Sequence, residues 1–419
     1  MKPNHALFVQ RDPADSVIYL ESGRAKPTAV SHNGKEATIT LPSARDFVGE
    51  ESLATAPRLR LSKVEPAEMF PHEASLNDSA LPIFQQGWWL GISRGLKPLK
   101  LEEVKHSGQI VGRLSYVTRR SRLGFPLGEI PHWTHLAGPW LSQNLYPLQK
   151  QEVLEKLVSR LPKRVSFSFT CHPCENDAAL ITNVFQNAGF NVAVQKTFSQ
   201  TPDDIIVMSR INVEQRKNIV RAEKKLEITR IDVDTFVEFY GRNLVARGLV
   251  CYNPLSIARD LIAAGLQRTP PQAEILAAGR RNRRLTDPAC PLDAAIACVW
   301  DSERYYYFMS TRRTDCYGNP ECKPNADAVK LLIVHAMQHA RDMGLTFDAD
   351  GVTTDGAETL YRKILKIPEL EYRLLLRREG TLYTRFLAVT PHIARWTEKW
   401  KTSFSASRGG IRYPPQASQ

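Results

Sequence analysis

The chain has 419 residues, enough for two to four domains at roughly 100–200 residues each. Hydrophobic residues make up 42% and charged residues 24%, which excludes a disordered or collagenous chain, and no apolar run reaches the roughly 18 residues of a membrane-spanning helix. Lysine and arginine outnumber aspartate and glutamate by 56 to 44, so the formal charge of +12 points to an anionic partner.

The opening residues, from Met1 to Ser16, have no apolar core and do not read as a secretory leader. Short alternating runs follow at Ser16–Leu20, Lys26–Val30 and Ala37–Leu41. The pair Asn33-Gly34 between two of them is a hairpin signal, so this stretch is expected to be β. Glu65-Pro66-Ala67-Glu68 reads as a boundary.

The next stretch mixes helix and strand. Leu81–Ser93 has a helical pattern, and Leu99–Val104 and Ile110–Thr118 read as strands joined at His106-Ser107-Gly108. Leu148–Leu161 is an amphipathic helix, Val165–Thr170 a strand, Asp177–Ala188 a helix stopped by Gly189, and Phe190–Phe198 a strand. From residue 211 the mixture repeats. Glu214–Leu226, Val233–Arg247 and Pro254–Leu266 read as helices, and Arg280–Arg284 as a basic loop. Ala294–Trp300 and Arg304–Thr311 form a hairpin across Asp301-Ser302-Glu303. Ala326–Met343 is the clearest helix, with Val329, Leu332, Ile333, Ala336 and Ala340 on one face and Gly344 at its end. Leu345–Ala349 (strand), Glu358–Leu365 (helix) and Tyr372–Arg378 (strand) complete the series. The shared order of elements predicts two related modules.

Residues 15–60 resemble part of a Crp/Fnr-type cyclic-nucleotide-binding domain. The likeness rests on Asp15–Tyr19, Gly23, Gly34–Ala37 and the run Phe47–Ala54. In that family such a run is the phosphate-binding cassette. The resemblance implies that Gly49 and Glu50, with Arg58 or Arg60, stand where a cyclic phosphate is held. The stretch is about half the length such a barrel needs, and no helix-turn-helix follows, so DNA is not an expected partner.

Residues 69–385 resemble the FemAB-like acyltransferases, the double-module branch of the GNAT superfamily. The motifs in order are Gly87–Leu90, Gly112–Tyr116, Pro131–Pro139 in the pattern P-x-x-T-H-x-x-G-P, and His172-Pro173. Arg216–Lys224 follows in the pattern R-x-x-I-R-x-A-x-K, then Phe347–Gly351 and Tyr361–Lys363. Where the family often has Phe-Gly, this chain has Ile364-Leu365. The implied fold class is α/β (α+β): tandem GNAT-like modules with mixed central sheets and a short N-terminal β segment. The expected boundaries are 1–68, 69–210, 211–385 and a basic tail at 386–419.

The resemblance implies an N-acyltransferase that takes an acyl group from acyl-CoA, acetyl-CoA above all, or an aminoacyl group from an ester, and gives it to an amine. The acceptor class is a cell-envelope or polysaccharide precursor or a small metabolite. A cyclic-nucleotide-sensing regulator and an inactive double-module scaffold are the alternatives. The donor's phosphates call for a helix N-terminus and cations, and Asn325, Ala326, Arg312, Arg313 and Lys330 are the candidates. The acceptor amine must lose a proton, and Asp350 and His135 are candidate catalytic groups, against a turn aspartate before glycine and a loop-orienting histidine. Asp348 and Asp350 alternate along a strand end and so point to opposite faces. Asp348, Tyr361, Arg216, Lys217 and Arg221 are candidate substrate-binding residues. Residues 211–286 carry 14 basic and 8 acidic side chains, which concentrates the charge excess around the Arg216 helix.

Cys171-x-x-Cys174 lacks a second pair at knuckle spacing, so no metal is expected. Seven cysteines, an odd and sparse number, fit a reducing compartment and hence the cytoplasm. A dimer is left open.

Overall fold

The computed structural model describes residues 81–389 except 122, 173–174, 204–206, 282–291, 314–322, 350–354 and 369–370, together with four short N-terminal strands. The chain divides into two units, Met1–Glu73 and Ala74–Gln419. In the first, β1 (Ile18–Tyr19) pairs antiparallel with β4 (Phe47–Val48), and β2 (Thr28–Val30) with β3 (Glu36–Thr38). The β2–β3 pairing brackets Asn33-Gly34, as the hairpin signal requires.

The second unit is built on two mixed sheets. The strands of the first are β5 (Leu99–His106), β6 (Gln109–Arg120), β7 (Pro126–Glu129), β8 (Trp140–Leu141), β9 (Ser166–Thr170), β10 (Asn191–Thr197) and β17 (Glu371–Arg378). They run in the order β10-β17-β9-β7-β6-β5, with β8 on β6. The second sheet runs β11-β16-β15-β14-β13-β12. Its strands are β11 (Ser199–Gln200), β12 (Leu226–Arg230), β13 (Ala273–Arg280), β14 (Ala294–Trp300), β15 (Arg304–Arg312) and β16 (Thr346–Asp348).

Each sheet contains one parallel pair, β7/β9 and β15/β16, flanked by antiparallel neighbours. A parallel pair needs a crossover, and the two amphipathic helices supply it: α2 (Pro147–Ser159) and α8 (Ala328–Asp342). This is the internal repeat that the element order predicted.

The modules are interleaved. Strand β17, expected to close the second module, lies in the first sheet between β10 and β9. The expected boundary near 210 is crossed in the other direction too: β10 and β11, separated only by Phe198, belong to different sheets. Such exchange covers strand edges that either sheet alone would leave bare. The 3₁₀ turn Ile83–Gln85 and α1 (Gly87–Ser93) come first in the unit, yet Phe84 and Trp89 pack on the second sheet.

Helices start and stop where their caps dictate. In α5 (Val213–Lys225) the Asn212 side chain accepts the Gln215 N–H at 2.8 Å, and in α6 (Val233–Ala246) Asp232 accepts that of Thr235 at 2.8 Å. Helix α8 ends on Gly344 at φ +70°, with the Leu345 N–H returning to the Ala340 carbonyl.

One face of the second sheet packs under α5 and α8, through residues such as Ile219, Leu332 and Ala336. The other packs under α6, α7 (Leu255–Gln267) and α1. Strand β14 is therefore buried at every position. In β15, Tyr305 and Tyr307 go to the α8 side while Tyr306 and Phe308 go to the other. Between α8 and β17 the chain forms one α turn, α9 (Asp355–Glu358), then π-helical turns over Thr359–Ile364. A last helix, α10 (Thr381–Val389), follows β17.

Candidate functional site

The pairing of β15 with β16 lasts from Arg304↔Thr346 to Tyr306↔Asp348, after which β15 runs on to Arg312. Among the described residues the second sheet opens at that end. The register places Ala278, Ala294 and Arg312 level with one another there, with Arg280 two residues further along β13 opposite Leu226, and α8 begins beyond Arg312.

A cleft of about 860 Å³ lies at this end, lined by Lys224 and Lys225 of α5, Arg280 and Arg281 of β13 and its turn, and Lys323, Pro324 and Asn325 before α8. All five cationic side chains are exposed. Arg280 and Arg281 are held in place by donating to the Lys323 and Glu223 carbonyls. The carboxylate in the lining, Asp293, is buried and already engaged by Arg313 at 2.7 Å and by the Asn325 N–H at 3.0 Å. What remains is a concentration of positive charge suited to a polyanion. The cleft joins two features that the sequence held far apart, the end of the Arg216 helix and the approach to α8.

The individual candidates around α8 divide. Helix α8 begins at Ala328, two residues later than expected, because Asp327 takes the N-cap position. Asn325 is one turn outside, its side chain accepting the Asp327 N–H at 2.9 Å, and Ala326 is exposed beside it. Arg312 is exposed at the end of β15. Arg313 is not an available cation: it is buried against Asp293 and the Leu292 carbonyl. Lys330 is likewise committed, bridging Asp327 at 2.6 Å and Gln215 at 2.9 Å, which pins α5 to α8.

Helix α5 shows the same split. Arg216 donates to the Ser209 and Ile211 carbonyls at 3.1 and 3.0 Å, tying the helix to the segment before it. Lys217 and Arg221 are exposed and do not line the cleft, whereas Lys224 and Lys225 do. The cleft thus takes its α5 cations from the end of the helix and not from Arg216, Lys217 or Arg221.

Asp348 is fully buried. Its carboxylate meets Arg373 of β17 at 2.7 Å, the Thr197 hydroxyl at 3.2 Å and Arg304 at 3.7 Å. As a substrate ligand it is therefore corrected: it ties the second sheet to the first. Tyr361 is buried beside Phe198 and Tyr307, and burial raises its phenol well above the ordinary value. It is a core residue and does not present its hydroxyl to an open cleft.

His135 lies between the rings of Phe84 and Phe308, with centroids 5.6 and 4.9 Å away. Burial, then the nearby Arg373, lowers its pKa to about 3 against the pull of Asp348. Such an imidazole stays neutral and is a poor proton acceptor at neutral pH, so the loop-orienting role is the one its surroundings support. His172 is lowered to about 3 by burial, Arg304 and Arg373, and its buried Nε2 has no hydrogen-bond partner among the described residues.

The Pro131–Pro139 segment is a structural junction. The Thr134 hydroxyl accepts the Trp89 indole N–H at 3.1 Å, Trp133 donates to the Pro254 carbonyl at 2.8 Å, and Ala137 and Gly138 N–H groups both reach the Thr170 carbonyl. A Cβ on Gly138 would lie 2.5 Å from Cys171 Sγ, so the glycine of the motif is a close-packing requirement. Asp350 lies outside the described residues, as do Gly49, Glu50, Arg58, Arg60 and Cys174. No group of side chains fit to hold a metal occurs among the described residues.

Residues 1–64 match the family model of the cyclic nucleotide-binding domain. No curated protein matches the chain. Among solved structures, FemX is similar with a TM-score of 0.51 at 11% identity, covering 73% of this chain and 94% of that one. Over that share of the chain the fold is like that of FemX. A tandem GNAT protein from the clavulanic acid biosynthesis pathway aligns over 68% of this chain and 84% of its own, with 10% identity and a TM-score of 0.40. A GNAT-family acetyltransferase from Colwellia psychrerythraea aligns over 70% and 90%, with 10% identity and a TM-score of 0.35.

Within this fold, sequence reasoning missed Arg373, Arg304 and Asp293. Arg373 carried one signal, a cation immediately before the apolar run Leu374–Leu376 of β17. The inter-sheet pairing that uses it is invisible before the fold is known.

Proposed function

We propose that this protein is an N-acyltransferase that moves an acyl or aminoacyl group from an anionic activated donor to an amine. The observation that carries the reading is the five-cation cleft at the open end of the second sheet of a FemX-like fold. The cations Lys224, Lys225, Arg280, Arg281 and Lys323 hold the donor's phosphates, whether those of acyl-CoA or of an aminoacyl-tRNA end, and the opened β15 edge receives the extended part of the donor. The acceptor nitrogen attacks the donor carbonyl, the carbon–sulfur or carbon–oxygen bond breaks, and the amine's proton leaves to a base. Asp350, two residues after β16 in the sequence and followed by Gly351, is the residue we assign to that base or to holding the amine. The acceptor is an envelope or polysaccharide precursor or a small metabolite, and the reaction is cytoplasmic.

The test is release of free CoA from a panel of acyl-CoAs, or of tRNA from aminoacyl-tRNA, with a panel of amines. Turnover that falls in Asp350→Asn supports the reading; no release from any donor overturns it. The match at residues 1–64 favours a second reading for the N-terminal unit alone, cyclic-nucleotide binding. Calorimetry with cAMP and cGMP decides it, a flat titration discarding the idea.

A further inference from the structure

A second cavity, about 660 Å³, lies on the first sheet, at the end where β6 stops and β7 and β9 start. The opening between the parallel strands β7 and β9 would lie at the opposite ends of those strands, so the cavity is unrelated to acyl transfer through either parallel pair. Its floor is apolar: Tyr116 and Val165 are buried there. Its walls are Phe125 and Leu123 of the turn after β6, and Leu382 of α10. Leu123 and Leu382 both line it and are 63% and 44% exposed, so the groove leaves apolar side chains open to water. Phe125 is fixed by the rings of Tyr383 and Phe386, so α10 forms a wall and is not a loose flap.

The rim is cationic. Lys100, Arg120 and Arg164 line the mouth, all three are exposed, and none makes an ion pair with another described residue. Arg120 is oriented by donating to the Gly124 carbonyl at 3.0 Å. No carboxylate lines the cavity among the described residues. Glu102, on the same strand face as Lys100, accepts the Tyr116 hydroxyl at 3.3 Å. Burial and that carboxylate raise the Tyr116 pKa to about 12, so the floor stays uncharged.

An apolar floor with unpaired cations at its mouth is complementary to one kind of molecule, a hydrocarbon chain ending in an anion, and the volume lies within the roughly 300–1,000 Å³ of small-molecule sites. We infer that this cavity binds the alkyl chain of an anionic amphiphile, its phosphate or phosphate-like headgroup meeting Lys100, Arg120 and Arg164. The inference is independent of the donor cleft, which lies on the other sheet.

The probe is dodecyl phosphate, titrated calorimetrically into the full chain below its critical micelle concentration. Dodecyl maltoside and inorganic phosphate are the controls. Binding at least about tenfold tighter than either control is expected. The variant Lys100→Gln/Arg164→Gln, which touches only exposed side chains, should weaken it at least about fivefold. Leu123→Asp should abolish it. Sedimentation with phosphatidylglycerol vesicles, against phosphatidylcholine vesicles, identifies the source. Capture that is lost in Leu123→Asp marks a bilayer lipid, and binding of dodecyl phosphate without vesicle capture marks a free amphiphile. Equal affinity for dodecyl phosphate and dodecyl maltoside, or binding unchanged in both variants, overturns the inference.

Discussion

The Asp348 carboxylate on β16 and the Arg373 guanidinium on β17 meet at 2.7 Å with both side chains closed to solvent. They belong to different sheets, so one buried ion pair bridges the two modules. Removing one partner of such a pair strands a charge in a low-dielectric interior, at a cost of about 3–5 kcal/mol. Arg373→Met is therefore expected to destabilise by about that amount in urea denaturation at pH 7. Arg373→Met/Asp348→Leu should recover part of it, because neither charge of the pair is then left alone. Strictly additive singles of under about 1 kcal/mol each would show that the pair does not hold the modules together.

Gly112 of β6 packs directly under α2, where a Cβ would overlap Val153 Cγ1. Gly112→Ala is expected to cost about 1–3 kcal/mol by overpacking. Val153→Ala alone should also destabilise, by opening a cavity. The double variant should be more stable than the sum of the singles predicts, with a coupling of about 0.5–3 kcal/mol. Thermal unfolding of the four proteins reads it, and a coupling near zero would mean that α2 simply shifts to make room.

Much of the fold was legible because local signals agreed with it. The α8 face, the stop at Gly344 and the hairpin β14–β15 are written in periodicity and turn residues. Strands β12 and β13 were not, for a physical reason. Strand β13 is buried on both faces and rich in alanine, so it shows neither alternation nor β-branched composition. The exchange of β17 was illegible too, since strand pairing across about 180 to 210 residues leaves no local trace. The candidate site was half legible. Charge clustering pointed to α5 and the start of α8, but not to which cations were already spent. Arg313, Lys330 and Arg216 look in sequence like Lys224 and Lys323; only their partners separate them.

The histidines give a pH dependence with a definite sign. His135 and His172 have folded pKa values near 3 against an ordinary 6.5. The unfolded chain therefore takes up more protons, and their stabilising contribution is complete above pH 6.5 and lost as pH falls toward 3. Each adds a slope of about 1.4 kcal/mol per pH unit in that window. His135→Phe keeps a ring between Phe84 and Phe308 but cannot titrate. Comparing it with the parent from pH 6.5 to 4 should show a slope shallower by about one proton. Identical slopes would mean that His135 is protonated in the folded protein, stabilised by Asp348.

The basic cleft separates charge that binds from charge that builds. Lys224 and Lys225 are exposed at the end of α5 and line the cleft, so Lys224→Gln/Lys225→Gln should leave the fold intact. Two partly screened contacts to phosphate, at about 0.5–1 kcal/mol each, translate into a KM for the donor higher by about 5–30-fold, with kcat nearly unchanged. The salt dependence of KM should flatten in the same variant, because fewer counterions are displaced on binding. Arg216→Gln is the contrast. Its guanidinium fastens α5 to the Ser209 and Ile211 carbonyls, so stability should fall by about 1–3 kcal/mol while the salt dependence stays that of the parent. If instead KM and its salt slope follow Arg216 and ignore Lys224 and Lys225, the donor lies against the start of α5 and the cleft is ordinary solvated surface.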